Sequence, residues 1–150
     1  MSSHADPSSI RSWFSARLPD EWADPTIDID REEITVTVTV AEPSLPDDAS
    51  DADRAEALDG ATSRFREDTR DQRIAIAREA EHRFDRKVAW AVTIGGSTTL
   101  FTHLAVPVMT RLRQPERMVL DTLVEANIAR SRADAVAWCV RLVGVPADET

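Results

Sequence analysis

Histidine and cysteine side chains, which could hold a zinc ion or take part in nucleophilic catalysis, are few and far apart in this sequence of 150 residues. The three histidines, His4, His82 and His103, lack the close spacing with other ligands that a zinc site needs. Cys139 is the one cysteine and falls on the apolar face of a helical pattern, where we expect it to pack in a core. No serine-histidine-aspartate set and no pair of carboxylates can be assembled with this spacing. We therefore expect a protein that is not an enzyme and that binds no metal ion and no cofactor.

A second possible chemistry is phosphate binding by the tetrapeptide Gly95-Gly96-Ser97-Thr98, since glycine-rich loops can surround a phosphate with backbone N–H groups. The tetrapeptide lacks the Lys-Ser/Thr ending of such loops, and no helical pattern follows it. Two glycines between two β-branched runs instead supply the positive φ angles of a tight hairpin turn. The sequence therefore predicts a turn here.

The net charge of −9 is distributed unevenly along the chain. Residues 1–59 hold 4 basic and 15 acidic side chains, whereas residues 60–102 hold 8 and 6, and residues 103–147 hold 6 and 4. The acidity thus belongs to the first 59 residues and does not exclude nucleic acid as a partner of the rest. It makes residues 1–59 the segment in which to expect a protein partner.

Arginines are concentrated in a long helical pattern that we place at residues 54–86. Two interpretations are open: the arginines pair with the acids interleaved among them, or they form a second face for nucleic acid. Ion pairs along a solvated helix are the favoured interpretation. The arginines are Arg64, Arg66, Arg70, Arg73, Arg78 and Arg83.

Residues 1–104 show the pattern of a small α+β module in which strands flank a long helix. Ile34, Val36 and Val38 alternate with threonines, which predicts a strand with one apolar face. Two prolines and five acids at 42–53 predict an acidic loop that does not pack. The remaining predicted elements are a short helix at 8–17, a strand at 26–30 paired with 33–41, the helix at 54–86, and strands at 88–94 and 98–104.

Residues 105–146 carry the pattern of one strand followed by two helices. A proline and an acid early in a run beginning at Gln114 predict the first helix, and Asn127 suits a left-handed turn after it. Ser131 and Asp134 form a capping-box pattern that opens the second helix. A β-α-α unit of this size cannot bury its own apolar stripes. We therefore expect two copies to pair their strands antiparallel and to interlock their helices.

Residues 106–143 resemble the ribbon-helix-helix DNA-binding family, the Arc/MetJ-like repressors and related antitoxins. The resemblance is carried by the strand ending in Arg111-Leu112, by Leu120 to Val124 and by Ile128 to Ala135. Asn127 stands where the family usually has glycine, and a module precedes the strand. No family is recognised for residues 1–104.

The resemblance implies that a two-stranded ribbon enters the major groove of DNA. Met109, Arg111 and Arg113 would then contact bases, with Thr110 in their place if the register slips by one residue. The N-terminus of the second helix would meet a phosphate through Arg130, Ser131 and Arg132. The implied dimer core consists of Leu112, Leu120, Leu123, Val124, Val136, Cys139 and Val143.

The function expected from the sequence is that of a homodimeric or larger, sequence-specific DNA-binding protein that regulates transcription. The alternative is an antitoxin-like interaction dimer whose residues 1–59 bind a protein partner. No apolar run approaches the roughly 20 residues of a membrane span, and the N-terminal segment lacks the apolar core of a signal peptide. A single cysteine fits a reducing compartment. We expect a cytoplasmic protein, associated with the nucleoid if it binds DNA.

Overall fold

The chain divides between Val106 and Pro107 into two units, Met1–Val106 and Pro107–Thr150. The computed structural model describes residues 6–144, so the last two residues of the predicted 105–146 unit lie outside the described residues. Within residues 6–144 the fold is mixed α+β, with a four-stranded sheet and four helices. No helix among these residues has the length and apolarity needed to cross a bilayer.

The first unit begins with helix α1 (Pro7–Arg17), followed by strands β1 (Ala23–Ile29) and β2 (Glu33–Val40). The Asp6 carboxylate caps α1 by accepting a hydrogen bond from the Ser8 N–H. β1 and β2 pair antiparallel, which confirms the predicted hairpin.

A single helix, α2 (Asp51–Phe84), crosses from β2 to strand β3 (Lys87–Ile94), which runs parallel to β2. Ser50 and Asp53 form a capping box at its start, so the predicted loop at 42–53 ends three residues earlier than expected. Gly60 does not interrupt the helix. Two parallel strands need a crossover of this kind, because the chain must return from the end of β2 to the end of the sheet at which β2 begins, and a short turn cannot span that distance.

Strand β4 (Ser97–Leu100) completes a sheet of order β1-β2-β3-β4 by pairing antiparallel with β3. Gly95 and Gly96 have φ angles of 58° and 79° and form the predicted turn. A Cβ on Gly95 would also collide with the side chain of Glu42. The return strand is shorter than predicted, because regular pairing stops at Leu100.

The core of this unit lies between one face of the sheet and the two helices. Ile34, Val36 and Val38 point into it from β2, as their alternation with threonine predicts. Phe14 of α1 and Ile76 of α2 are fully buried against them. The N-terminal module therefore has its own hydrophobic core, as a domain requires.

The second unit contains helices α3 (Gln114–Glu125) and α4 (Arg132–Gly144). The predicted strand before α3 is not formed in the single chain, where residues 102–113 have no regular secondary structure. A strand needs a partner for its backbone groups, and none of the described residues pairs with this segment. The two helices of the β-α-α prediction are thus confirmed, whereas its strand does not form in the single chain and its pairing with a second copy stays a prediction.

Asn127 forms the left-handed turn between α3 and α4, with φ of 61°. The Ile128 N–H donates to the Leu123 carbonyl, and the Asn127 N–H donates to that of Val124. Because the left-handed conformation is costly for residues with a Cβ other than asparagine and aspartate, we expect Asn127→Ala to lower the free energy of unfolding by about 1 kcal/mol. We expect the free energy of unfolding of Asn127→Gly to stay within a few tenths of a kcal/mol of the wild-type value, as measured by urea unfolding. An equal loss of stability in both variants would mean that contacts of the asparagine side chain, and not the backbone angle, stabilise the turn.

Candidate nucleic-acid interface

The segment between the sheet of the first unit and α3 is the candidate DNA-reading ribbon. Val108 and Met109 are 90% and 93% exposed, and Arg111 and Arg113 are exposed as well. Leu112 is half-buried and packs against the cluster around Leu120. Arg111 and Arg113 therefore lie on the outward side at the end of the segment, with Leu112 between them on the inward side.

The backbone of this segment is available for pairing. No backbone–backbone hydrogen bond involves residues 102–112 within the described part of the chain. At the end of the segment, the Glu116 carboxylate accepts from the Arg113 N–H at 2.7 Å, and Arg117 donates to the Leu112 carbonyl at 2.6 Å. These two contacts fix the end of the extended segment to the first turn of α3. The N–H and C=O groups of the segment before Leu112 have no backbone partner among the described residues.

A groove of about 390 Å³ lies beside the segment within the second unit. Its apolar walls come from Val108 and Leu112 on one side and from Leu120 and Val136 of the helices on the other. Arg132 and Arg117 add two positive charges to its lining. The groove is thus lined by apolar side chains together with two arginines.

The start of α4 has the cap that the sequence predicts, with one change. The Ser131 hydroxyl accepts from the Asp134 N–H at 3.1 Å, as a cap should. The Asp134 carboxylate, however, accepts from the N–H of Arg130 at 2.9 Å and not from that of Ser131. A carboxylate therefore already occupies part of the positive end of this helix, and a phosphate would have to share it.

Arg132 has a protein partner in the structure. Its guanidinium makes two parallel hydrogen bonds to the carboxylate of Asp121 on α3, at 2.8 and 3.0 Å. These bonds, and then the positive charges of Arg132 and Arg117, hold the pKa of Asp121 below its usual range. Arg132 thus joins α3 to α4, a role the sequence did not predict, and a phosphate contact would compete with it.

Because the Arg132 hydrogen bonds are the main cause of the low pKa, we expect Arg132→Ala to raise the pKa of Asp121 towards its ordinary value. A pKa that is lower in the folded than in the unfolded state contributes stability at neutral pH, and this contribution disappears as the pH falls through the folded pKa. The stability difference between wild type and Arg132→Ala should therefore vanish in acid. A carboxyl NMR titration and urea unfolding at two pH values measure both effects. Arg141→Ala, at the far end of α4, serves as the control and should leave the pKa of Asp121 unchanged.

Most of the implied dimer core is partly buried within the single unit. Leu120, Ala129 and Ala135 are buried, and Leu112, Leu123, Val124, Val136 and Cys139 pack against them. Val143 is different, because it is 87% exposed and lies outside this cluster. Several other apolar side chains of the two helices and of the turn between them are also exposed: Met118, Val119, Ile128, Val140 and Leu142.

The first unit also has a cleft that no sequence pattern predicts. Its volume is about 790 Å³, and it lies between α2 and the start of the loop after β2. Trp22 and Phe65 contribute aromatic walls, while Arg64 and Asp68 lie at its border. Among residues 6–144, no three histidine, cysteine or acidic side chains are close enough to hold a metal ion.

The domain matches follow the two units of the structure. The family model described as the Rv1265-like protein, N-terminal domain, matches residues 8–100, which is more than half of the chain. This chain belongs to the Rv1265-like family. The family model described as the Mb1296 C-terminal domain matches residues 113–149. Neither match includes residues 101–112, which form no helix or strand.

Other members of the Rv1265-like family are similar along nearly the whole chain. The uncharacterized protein Mb1296 of Mycobacterium bovis and the uncharacterized protein Rv1265 of Mycobacterium tuberculosis are each 53% identical over 146 residues, or 96% of this chain. The chain covers 63% of the length of these relatives. No solved structure shows a significant match. None of these names mentions ribbon-helix-helix proteins, so that resemblance stays a prediction.

Proposed function

We propose that this member of the Rv1265-like family is a homodimeric, sequence-specific DNA-binding protein that regulates transcription. The observation that carries the proposal is the exposed extended segment before α3, which has no backbone partner among residues 6–144 and ends in Arg111 and Arg113. An extended chain with free N–H and C=O groups readily pairs with a second chain. A two-stranded ribbon made in this way has the width that the major groove admits.

The partner in this proposal is a second copy of the chain. The described part of the second unit buries only three residues, while five large apolar side chains of its two helices, and Ile128 in the turn between them, remain exposed. A surface of this kind is costly in water and marks an interface. Two copies related by a two-fold axis would place identical extended segments antiparallel and cover both sets of exposed side chains.

The residue roles follow from this arrangement. Arg111 donates two hydrogen bonds to a guanine edge, Arg113 reaches a base or a phosphate at the end of the ribbon, and Met109 contacts a base edge. Thr110 replaces them if the register shifts by one residue. Ser131 and Arg130 direct the start of α4 towards a phosphate. Arg132 contacts a phosphate as well once it has left its ion pair with Asp121.

Recovery of genomic DNA fragments on the purified protein tests the proposed function. We expect a limited set of fragments that share a sequence, and binding that weakens steeply with salt because phosphate contacts release counterions. A set of fragments that is random in sequence would contradict sequence-specific binding. A flat salt response would contradict phosphate contacts.

A second candidate function is binding of a protein partner by the acidic first 59 residues. Asp20, Asp24, Asp28 and Glu32 are exposed on or beside the β1–β2 hairpin, and none of them forms an ion pair within the described residues. A basic protein surface would complement them. Co-purification of one basic partner, lost when these four residues are replaced by their amides, would favour this function.

A further inference from the structure

We propose that one side of α2 is a second, sequence-independent DNA-binding surface, made by Arg66 and Arg70 and supported by Arg73. We call this surface the arginine stripe. It deepens the proposed function and rests on it, since it assigns the phosphate backbone of duplex DNA as the ligand of the first unit.

The three arginines of the stripe share one side of the helix. Their spacings of four and three residues place Arg66, Arg70 and Arg73 within about 60° of one another around the α2 axis. The acids near them in sequence, Glu67 and Asp71, are displaced by one position and therefore by about 100° from Arg66 and Arg70. The stripe is thus a row of positive charge along about two turns.

The arginines of the stripe have no acidic partner among residues 6–144. Within the described residues, the ion pairs of α2 are Arg64 with Asp68, Glu79 with Arg17 of α1, and Glu81 with Lys87 of β3. The expectation that the arginines of this helix pair with the interleaved acids is therefore confirmed for Arg64 and wrong for the stripe. Within the described residues it is also wrong for Arg78 and Arg83. Three neighbouring positive charges without a counter-charge repel one another and favour an anionic ligand.

The protein holds part of the stripe in place with neutral groups. Arg73 is only 8% exposed, donates to the Thr69 hydroxyl at 2.9 Å and donates to the Arg66 carbonyl at 2.7 Å. Its guanidinium lies 5.1 Å from the centre of the Phe101 ring, and that of Arg66 lies 5.3 Å from the same centre. Phe101 is itself anchored by its N–H, which donates to the Trp90 carbonyl at 2.7 Å.

Keeping a charged side chain at residue 73 has a free-energy cost. Burial, and then the like charges of Arg66 and Arg70, lower the pKa of Arg73. A leucine or methionine at residue 73 would fill a similar space against Phe101 without this penalty. Arg73 is held by buried contacts, and the exposed guanidinium groups of Arg66 and Arg70 lie near it on the same side of the helix. This arrangement suits a polyanion such as DNA, whose phosphates lie along a line.

The test compares two double variants of the full chain that have the same net charge. Arg66→Ala/Arg70→Ala removes the exposed part of the stripe, whereas Arg54→Ala/Arg78→Ala removes two exposed arginines of α2 that lie outside it. Each protein is titrated at several salt concentrations with a recovered genomic fragment and with a scrambled duplex of the same length. Thermal unfolding is measured in parallel, to establish that all proteins are folded.

We expect the stripe variant to bind both duplexes several-fold more weakly and to lower the slope of log K against log[salt] by roughly two, with its preference between the duplexes unchanged. The control variant should change the slope by less than half as much. Equal behaviour of the two variants would overturn the arginine stripe and leave the proposed function standing. If the wild type shows no preference between the duplexes but the stripe variant still loses affinity, the proposed function fails and the stripe is supported.

Discussion

Replacing Leu120 with aspartate is expected to unfold the α3–α4 pair and, with it, any dimer. Leu120 is 7% exposed at the centre of a cluster with Ala129 and Ala135, so the change creates a cavity and places a charge in it. We expect a loss of more than about 3 kcal/mol, which is comparable with the whole stability of a small helical unit. Circular dichroism should show the loss of helix, and light scattering should give the mass of a monomer.

Val143→Asp separates folding from association. Because Val143 is 87% exposed in the single chain, the helices should remain folded while the dimer dissociates. Ala137→Asp, at another exposed position of α4, is the matched control and should preserve the dimer. A dimer that survives Val143→Asp would remove this residue from the interface. Full helicity and an unchanged mass for Leu120→Asp would show that the cluster around Leu120 is not the core of the unit.

Replacing Arg111 with alanine is expected to weaken binding to the preferred DNA by about 1–3 kcal/mol, or roughly 5- to 150-fold. The reason is the loss of two hydrogen bonds to one guanine, so the preference for that base pair should relax while the others persist. Binding to the wild-type site and to a set of sites with single base-pair changes measures both effects. Thermal unfolding should be unchanged, because the side chain is exposed.

Two further variants define what the Arg111 result means. Arg141→Ala removes an equally charged, exposed residue at the end of α4 and should leave the base preference intact. Thr110→Ala tests the other register of the ribbon. If the preference at one base pair relaxes in Thr110→Ala and not in Arg111→Ala, Thr110 faces the groove and Arg111 does not.

Local patterns were sufficient for most elements of the first unit. The alternation of Ile34, Val36 and Val38 with threonine fixes both the strand and its buried face, because successive side chains of a strand point to opposite sides. The two glycines at 95 and 96 specify the turn, since few other residues adopt positive φ there. The parallel pairing of β2 with β3 was not predictable in the same way, because it joins segments almost 50 residues apart.

For the candidate interface, the sequence located the segment and the helices but not their partners. Asn127 and Ser131 act where expected, since turns and caps depend on neighbouring residues. The pair of Arg132 with Asp121 joins two helices across a turn, and the shift of the Asp134 contact to Arg130 depends on the angle of that turn. Neither is visible in residue spacing. The cleft beside Trp22 and Phe65 likewise arises from packing between elements distant in sequence.

Residue patterns along the chain are enough to place helices α3 and α4, the turn at Asn127, the hairpins and the long helix α2, because each depends on periodicity or on a few adjacent residues. Which charges are paired depends instead on how the folded elements pack. Arg132, which we expected to contact phosphate, is bound to Asp121, whereas Arg66 and Arg70, which we expected to pair along α2, have no acidic partner in the described residues. An ion pair requires the charged groups of two side chains to lie within about 4 Å of each other. That distance depends on how the helices are oriented and packed, and not on how charges alternate along the chain.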